Sequence, residues 1–282
     1  MRPPQGTLSL ADSLRALVRR GDVHLPAVPG ITFRLQEVLR DERGADAHQV
    51  AEVVASEPAI ATSMLRLANS VAFGGLRPVL ELHEAVARVG LRQVESLATT
   101  IATRGAFRST DPARSARLEQ LWAMAVTAAV TCREVPYGEV DPEVAYLSGL
   151  LHDIGQPLVL KLLDTCESRL VDPIAPAAVE GLLDELHVEL GHRLLMNWRI
   201  PEPVCQVTQR HHGTVVPEDV LLVRVQAADA IAHHLALPAT ARPGLGALAA
   251  EPAIARLGLD DERLAERLDA IEERVAILRL FL

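Results

Sequence analysis

The feature that most constrains this chain is the short segment Leu150-Leu151-His152-Asp153-Ile154-Gly155. Its apolar residues predict the end of a buried helix, which holds an imidazole and a carboxylate side by side just before a glycine. Such a pair can offer a neutral ring nitrogen and a charged oxygen to one metal ion, while the aspartate bridges to a second. Further ligands from elsewhere in the chain are needed to complete such a site.

Side chains of the same chemistry lie on later segments that have helical patterns. They are His187, the tandem pair His211-His212, and Asp229 within Ala227-Ala228-Asp229-Ala230. Together with the His-Asp pair they resemble the ligand set of the HD phosphohydrolase superfamily, whose members are metal-dependent enzymes. The resemblance implies a set of candidate metal ligands that consists of His152, Asp153, His187, His211, His212 and Asp229.

The first ligand of that set is replaced. In the superfamily an earlier helix supplies it from a pattern resembling Leu-Trp-x-His, whereas this chain has Leu121-Trp122-Ala123-Met124. A thioether is a poor ligand for the hard or borderline metals of such sites. The lysine that often follows His-Asp-x-Gly is replaced by Gln156. We therefore expect no catalytic residue and no cofactor, with His152 and Asp153 left as hydrogen-bonding groups at a helix end; a vestigial or weak site for Fe, Mn or Mg is the alternative.

The composition predicts an all-α fold. Hydrophobic residues make up 49% of the 282 residues, enough for a substantial core, yet the chain has only two Trp, two Tyr and four Phe. The formal charge of −9 disfavours a nucleic-acid partner, because such proteins concentrate Lys and Arg on one face.

No apolar run approaches the roughly 20 residues of a membrane span, and a signal-peptide core is absent. We expect a cytoplasmic protein without a membrane partner, whose buried thiols are Cys132, Cys166 and Cys205.

Helical periodicity and helix breakers organise the first part of the chain. Residues 8–20 predict a short amphipathic helix, and the prolines of Leu25-Pro26-Ala27-Val28-Pro29-Gly30 exclude a helix there. Ser56 is predicted to cap the helix that follows it. Asn69-Ser70 is predicted to end that helix with side-chain to backbone hydrogen bonds, before a turn at Phe73-Gly74-Gly75.

A second, narrower resemblance spans most of the chain. Its motifs occur in this order: Leu25-Pro26-x-x-Pro29, Glu57-Pro58-x-Ile60, Leu65-Arg66-Leu67-Ala68-Asn69-Ser70 with Phe73-Gly74, Ala85-Val86-x-Arg88-Val89-Gly90, Gly149-Leu150-Leu151-His152-Asp153-Ile154-Gly155, Glu189-Leu190-Gly191, Trp198-x-Ile200-Pro201 and His211-His212. The chain thus resembles the HDOD family, helical signalling-output domains that are related to the HD phosphohydrolases but generally lack the complete metal site.

The HDOD resemblance implies a multi-helix HD-like bundle with an N-terminal helical subdomain. We divide the chain into an N-terminal helix and lead-in (1–24), the HDOD domain (25–230) and a C-terminal helical extension (231–282). Residues 117–134 are apolar nearly all round, which is typical of the central helix of a bundle. Gly191, on the helix that carries His187, predicts close helix packing.

The candidate ligands also have interpretations that need no metal. Adjacent helical residues point about 100° apart, so His211 and His212 converge only on a broad site, and one of them is expected to be a polar residue at the cleft. His187 and Asp229 are expected to hydrogen-bond to each other, since a buried carboxylate needs a partner. Three further histidines are interpreted as surface or half-buried residues without a role: His192, His233 and His234.

The C-terminal segment carries a short apolar seam at alternating spacings of four and three residues, formed by Leu264, Leu268, Ile271, Val275, Leu278 and Leu282. A seam of fewer than three heptads is marginal as an isolated coiled coil. We therefore expect this helix to pack on the chain's own bundle, and homodimerisation through it is the alternative.

The function predicted from these features is a non-catalytic output or regulatory module that acts through protein partners in a bacterial signalling pathway. The alternative is a metal-dependent phosphohydrolase that attacks a nucleotide or cyclic dinucleotide with a metal-activated water. After the tandem histidines the chain runs Gly213-Thr214-Val215-Val216-Pro217 and lacks a Gly-Tyr-Pro segment like that of cyclic-di-GMP phosphodiesterases. This difference disfavours the cyclic-dinucleotide version.

Overall fold

The computed structural model describes residues 10–21, 23, 25–27, 29–40, 44–73, 77–109, 111–167 and 175–282. These residues form helices and no strand, so the all-α prediction is confirmed. The α-helices are α1 (Leu10–Arg20), α2 (Gly30–Leu39), α3 (Ala47–Ala55), α4 (Pro58–Ala68), α5 (Leu82–Val89), α6 (Leu91–Thr103), α7 (Pro112–Glu134), α8 (Pro142–Leu151), α9 (Gly155–Glu167), α10 (Pro176–Asn197), α11 (Glu202–Arg210), α12 (Val220–Ala236), α13 (Leu245–Ala249), α14 (Pro252–Arg256) and α15 (Asp261–Arg279).

Helices α2 to α6 enclose a hydrophobic core of their own, which forms the predicted N-terminal subdomain. Asn69 ends α4 as predicted, because its side-chain amide donates to the carbonyl of Leu65 at 2.9 Å. The same side chain also holds Val79, through hydrogen bonds of 2.8 Å to the carbonyl and 2.7 Å from the backbone N–H. One asparagine therefore ends the helix and anchors the connection to α5. The predicted turn at Gly74 and Gly75 lies outside the described residues.

The start of α4 differs from the prediction. Glu57, not Ser56, occupies the N-cap position, and its side chain makes no capping hydrogen bond. Ser56 instead caps the end of α3 and donates its hydroxyl to the carbonyl of Val53 at 2.6 Å. Only two residues separate the two helices, so the serine is used by the helix that ends there.

Helix α7 is the central helix of the larger bundle, as its all-round apolar sequence predicted. It packs against α8, α12 and α15. The backbones of α7 and α8 approach closely at Gly149, where a methyl group would overlap the carbonyl group of Ala128. This close approach buries the end of α8, and the His-Asp pair with it.

Helices α9 and α10 are in similarly close contact through two glycines. A methyl group at Gly155 would overlap the carbonyl of His187, and one at Gly191 would lie 3.1 Å from the backbone nitrogen of Gly155. The predicted role of Gly191 in close packing is confirmed. The contact also fixes His187 against the start of α9, directly after the His-Asp pair.

The C-terminal helix packs on the chain's own bundle, as expected. Its buried residues are Leu264, Leu268, Ile271 and Val275. The residues after it contact the N-terminal subdomain, where Ser63 Oγ donates to the carbonyl of Phe281 and Arg66 Nη2 to that of Leu280, both at 2.7 Å. The chain end therefore connects the two cores.

Two smaller predictions can also be compared with the structure. Cys132 and Cys205 are buried free thiols, as predicted, whereas the side chain of Cys166 lies outside the described part of the chain. Within that part, every helix is too short or too polar to cross a membrane.

Candidate metal site

The fold brings all six predicted ligands together from four helices. The His-Asp pair follows α8, His187 lies on α10, His211 and His212 follow α11, and Asp229 lies on α12. They form two groups in which the potential ligand atoms lie within 4.8 Å of one another. The four-residue group consists of Asp153, His187, His211 and His212. The three-residue group consists of His152, Asp153 and Asp229, so both groups share Asp153.

Three imidazoles are oriented by their own helices. The Nδ1 atom of each lies close to a backbone carbonyl: His152 at 2.8 Å from Gly149, His187 at 2.7 Å from Leu183, and His211 at 2.8 Å from Thr208. A carbonyl has no hydrogen to donate, so Nδ1 must carry the proton and donate it. Each Nε2 atom then faces the cluster, which is the orientation that a metal ligand needs.

The four-residue group has the spacing of a tetrahedral site. Asp153 Oδ1 lies 3.1 Å from His211 Nε2 and 3.4 Å from His187 Nε2, and 2.9 Å separates the Nε2 atoms of His187 and His212. Four ligands at metal–nitrogen and metal–oxygen distances of about 2.1 Å would be separated by about 3.4 Å. Three imidazoles and one carboxylate suit a borderline divalent metal such as zinc, iron or manganese. These three separations lie near that value, so the four residues could hold a single ion.

Electrostatics keep two ligands of this group neutral. Burial lowers the pKa of His187 and outweighs the opposing charge of Asp153. Burial also lowers the pKa of His212, with a further contribution from His211. The neutral Nε2 of His187 consequently faces a carboxylate oxygen of Asp153, and a cation between these atoms would be bound favourably. His212 is exposed, so the group opens to solvent on that side.

The three-residue group is organised differently. His152 Nε2 lies 3.3 Å from Asp229 Oδ1 and 3.6 Å from Asp153 Oδ2. Burial lowers the pKa of His152, but the two carboxylates outweigh it and raise this pKa to about 9. Burial would raise the pKa of each aspartate, yet the neighbouring histidines hold both well below the usual range. An imidazolium therefore lies between two carboxylates, where it supplies the positive charge that a metal would supply.

Met124 lines a small enclosed space beside this group, together with Phe107, Leu121 and Ala125. The space measures about 10 Å³, which is no more than one water molecule needs. The methionine side chain is thus in the position from which a histidine on α7 would reach the three-residue group. A thioether is a poor ligand for hard or borderline metals, so Met124 adds no strong ligand to His152, Asp153 and Asp229.

The sequence profile of the HDOD domain family matches residues 25–214. The chain belongs to the HDOD domain family. The family match covers α2 to α11, and thus includes the N-terminal subdomain, Met124 and every member of the four-residue group. Asp229 lies beyond the matched residues, on α12.

Two curated proteins illustrate the relationship of this HDOD protein to others. An uncharacterized protein of Treponema pallidum is 28% identical over 198 residues, which are 66% of this chain and 38% of that protein. Ribonuclease Y of Alkaliphilus metalliredigens is 32% identical over 138 residues, which are 49% of this chain and 23% of the enzyme. The chain thus spans well under half the length of these relatives.

A solved structure shows the same fold. The HDOD domain protein of unknown function from Geobacter sulfurreducens has a TM-score of 0.66 to this chain at 24% identity. The likeness covers 95% of this chain and 97% of that one. The predicted HD-like helical bundle is confirmed.

One expected pairing is not formed. His187 does not pair with Asp229: its Nε2 faces Asp153 and His212, whereas Asp229 Oδ1 faces His152 and His233, the latter at 3.0 Å. The reason is helix order, because α12 packs against α7 and α8 while α10 packs against α9 and α11. Both aspartates have histidine partners, but Asp229 pairs with His152 and His233 whereas His187 lies next to Asp153.

The three histidines that were assigned no role have different outcomes. His192 is half-buried as predicted, and its ring nitrogen lies 2.9 Å from the carbonyl oxygen of Cys205. His234 is buried, contrary to the prediction. His233 is exposed as predicted, but its contact with Asp229 was missed, although its position one helical turn later places both side chains on one face.

Proposed function

We propose that this HDOD protein is a non-catalytic regulatory module that acts through protein partners in a signalling pathway. The observation that carries the proposal is the filled space beside the three-residue group. Met124 occupies the ligand position on α7, and the remaining volume of about 10 Å³ is too small for a phosphate ester. A phosphohydrolase needs a substrate oxygen to reach its metal ions, and on the Met124 side of the cluster this space is too small for such an approach.

Three exposed apolar side chains on the connection after α4 and at the chain end bonded to α4 support the protein-binding part of the proposal. Val71 and Leu80 are 96% and 84% exposed, and both lie on the connection that Asn69 anchors at the end of α4. Leu280 is 67% exposed, and its carbonyl accepts a hydrogen bond from Arg66 of α4. We name Val71, Leu80 and Leu280 the α4 patch. Large apolar side chains that are exposed on well-anchored backbone suit contact with another protein.

Hydrogen bonds hold the described backbone on either side of Val71 and Leu80. Besides the hydrogen bonds of Asn69, Arg88 donates to the carbonyl of Ala68 at 3.3 Å and to that of Arg77 at 3.1 Å. These bonds connect α5 to the last residue of α4 and to Arg77, which precedes Leu80 by three residues. A preorganised surface loses less conformational entropy when a partner binds.

A second function is favoured by a separate observation. The four-residue group is complete, and the chain is 32% identical to ribonuclease Y of Alkaliphilus metalliredigens over 138 residues. In this alternative, Asp153, His187, His211 and His212 would hold a divalent ion that activates water for attack on a phosphodiester. In the non-catalytic proposal the same four residues would hold an ion with a structural role only.

A turnover assay separates the two functions. The full chain is loaded with manganese or iron and assayed with bis(p-nitrophenyl) phosphate, 2′,3′-cyclic AMP and a short single-stranded RNA. The non-catalytic proposal expects no turnover above that of Asp153→Ala. Asp184→Ala is the matched control, because Asp184 is exposed on α10 outside both groups. Turnover that is lost in Asp153→Ala and retained in Asp184→Ala would establish the phosphohydrolase instead.

Site-specific crosslinking tests the partner surface. A photoreactive residue is placed at position 71 or 80 in cells that express the protein naturally, and position 196 serves as a control because Met196 is also exposed, at 57%, but lies on α10. We expect the same crosslinked protein from the first two positions and none from the third. Equal products from all three positions would rule out the α4 patch as the binding surface.

A further inference from the structure

A cavity of about 550 Å³ lies where the N-terminal subdomain meets the larger bundle, and neither metal-ligand group contributes a residue to it. We name it the junction cavity. Residues of α4 to α8 and of α15 line it, together with Val71 and Phe73 on the connection after α4. Val71 is also a member of the α4 patch. The junction cavity therefore adjoins the surface that we propose for partner binding.

Four apolar side chains of the cavity lining remain in contact with solvent. Val71 is 96% exposed, whereas Phe73, Ile277 and Leu278 are half-buried. A group that filled the space between them would remove apolar surface from water on more than one side. Protein interfaces commonly place a large anchoring side chain in a pocket of this kind. The accessible walls therefore favour a large apolar side chain.

One charged side chain of the cavity lining has no ion-pair partner among the described residues. Arg133 pairs with Glu143 at 2.9 Å, and Arg274 pairs with Glu134 at 2.8 Å. The remaining one is Glu273, which is exposed on α15. The uncompensated charge of the lining is thus negative. It favours a cation beside the bound apolar group and disfavours an anion there.

We propose that the protein partner of the α4 patch inserts a large apolar side chain into the junction cavity and pairs a neighbouring Lys or Arg with Glu273. This inference rests on the proposed function, because it gives the chemistry of the partner that binds there. The inserted side chain contacts Val71 and Phe73 of the N-terminal subdomain and Ile277 of the C-terminal helix. One anchor thus contacts both regions at once.

Methyl NMR of the full chain with capped dipeptides tests this chemistry. The probe is acetyl-Phe-Lys-amide, the charge-reversed analogue is acetyl-Phe-Glu-amide, and acetyl-Ala-Lys-amide lacks the anchor. We expect the probe to shift the methyl signals of Val71 and Ile277 with a Kd of roughly a millimolar. The charge-reversed analogue should bind about two- to fivefold more weakly, because exposed ion pairs contribute little. The analogue without the anchor should cause no shift.

Two pairs of variants test the location. Glu273→Gln should fold normally and bind both phenylalanine dipeptides equally, whereas Glu266→Gln, an exposed residue of α15 outside the lining, should keep the difference. Ile277→Trp fills the cavity and should weaken binding of the probe by about fivefold or more. Ala276→Trp is its matched control, since Ala276 is the exposed neighbour on the same helix and should bind like the wild type.

Crosslinking in cells that express the protein naturally tests whether the partner itself enters the cavity. A small diazirine amino acid at position 277 should capture the same protein as one at position 71, and one at position 276 should capture none. A partner that crosslinks from position 71 but not from 277 would overturn this inference and leave the proposed function in place. No partner from positions 71 and 80 would contradict both.

The dipeptide titrations can overturn the inference independently of any partner. No saturable shift with acetyl-Phe-Lys-amide would do so, as would equal binding of acetyl-Phe-Glu-amide by the wild type or probe binding that Ile277→Trp leaves unchanged.

Discussion

The two ligand groups share Asp153 but differ in the helices that supply their other residues, in the charge of their histidines and in their access to solvent. The four-residue group draws His187, His211 and His212 from the α10 and α11 side, keeps two neutral imidazoles and reaches solvent. The three-residue group lies on the α7 and α12 side, where Met124 removes a ligand and His152 carries the charge. The comparison teaches that one shared carboxylate can serve an ion pair on one side and a set of potential metal ligands on the other.

The largest expected effect follows from removing the residue that both groups share. Asp153 lies near His152, His187 and His211, and it accepts a hydrogen bond of 2.6 Å from Gln156. Asp153→Ala removes the carboxylate that these buried groups share, so we expect a loss of about 3–5 kcal/mol in the free energy of unfolding.

Urea denaturation in the presence of a chelator measures this effect without a contribution from metal. The exposed Asp184→Ala should stay within about 0.5 kcal/mol of the wild type. A stability of Asp153→Ala that matches this control would show that the two groups are not joined through their shared carboxylate.

The next largest effect is a pH dependence of the metal-free protein, which tests the ion pair in the three-residue group. The pKa of His152 is raised from its ordinary 6.5 to about 9, so its stabilisation is fully present below pH 6.5 and is lost as pH rises through about 9. We expect a loss on the order of 3 kcal/mol across this window. His233, whose pKa is raised by Asp229, contributes in the same direction.

Denaturation at several pH values with a chelator present measures the slope. The variant His152→Gln cannot titrate, so its stability should be lower and much less dependent on pH above 6.5. An equally steep slope in this variant would mean that His152 is neutral and that the two groups do not differ in charge.

A smaller effect tests the packing that positions the four-residue group. A methyl group at Gly155 would overlap the carbonyl of His187, so Gly155→Ala should separate α9 from α10 and cost about 1–3 kcal/mol. It should also weaken divalent metal binding, because His187 moves relative to Asp153. Gly181→Ala on α10 meets nothing within 4 Å and should stabilise the chain by about 0.4–1 kcal/mol. Wild-type metal affinity in Gly155→Ala would contradict this account of the site.

The smallest expected effect restores the missing ligand. Met124→His places an imidazole beside His152, Asp153 and Asp229, so we expect divalent metal affinity at this group to rise by about tenfold or more. Calorimetric titration with manganese measures the change. Ala123→His adds a histidine to the same helix outside this space and should bind like the wild type. No gain in Met124→His would mean that the helices have moved too far apart to re-form the group.

The sequence was sufficient to predict the helical class, the central helix and the residues of the cluster. These predictions depend on local features: the all-round apolar character of residues 117–134, the glycine at position 191, and the ligand types in their order along the chain. The HDOD motifs added the family, which the match over residues 25–214 shows. Each of these signals can be read within one helix or from one motif.

The pairing within the cluster could not be read in the same way. The expected His187–Asp229 pair was wrong because it depends on which helices are neighbours, and α10 and α12 lie on opposite sides of Asp153. His233 was missed for the related reason that only the structure shows Asp229 turned toward it.

Metal stoichiometry tests the central claim most directly, namely that only one of the two groups can hold a metal ion. The purified full chain is titrated with Mn²⁺, its metal content per chain is measured, and its electron paramagnetic resonance spectrum is recorded. We predict no more than one Mn²⁺ per chain, with the six-line spectrum of an isolated ion. The variant His187→Ala should lose this spectrum, and His152→Ala should keep it. Two ions per chain with an exchange-coupled spectrum would contradict the account, because the three-residue group would then bind metal despite Met124.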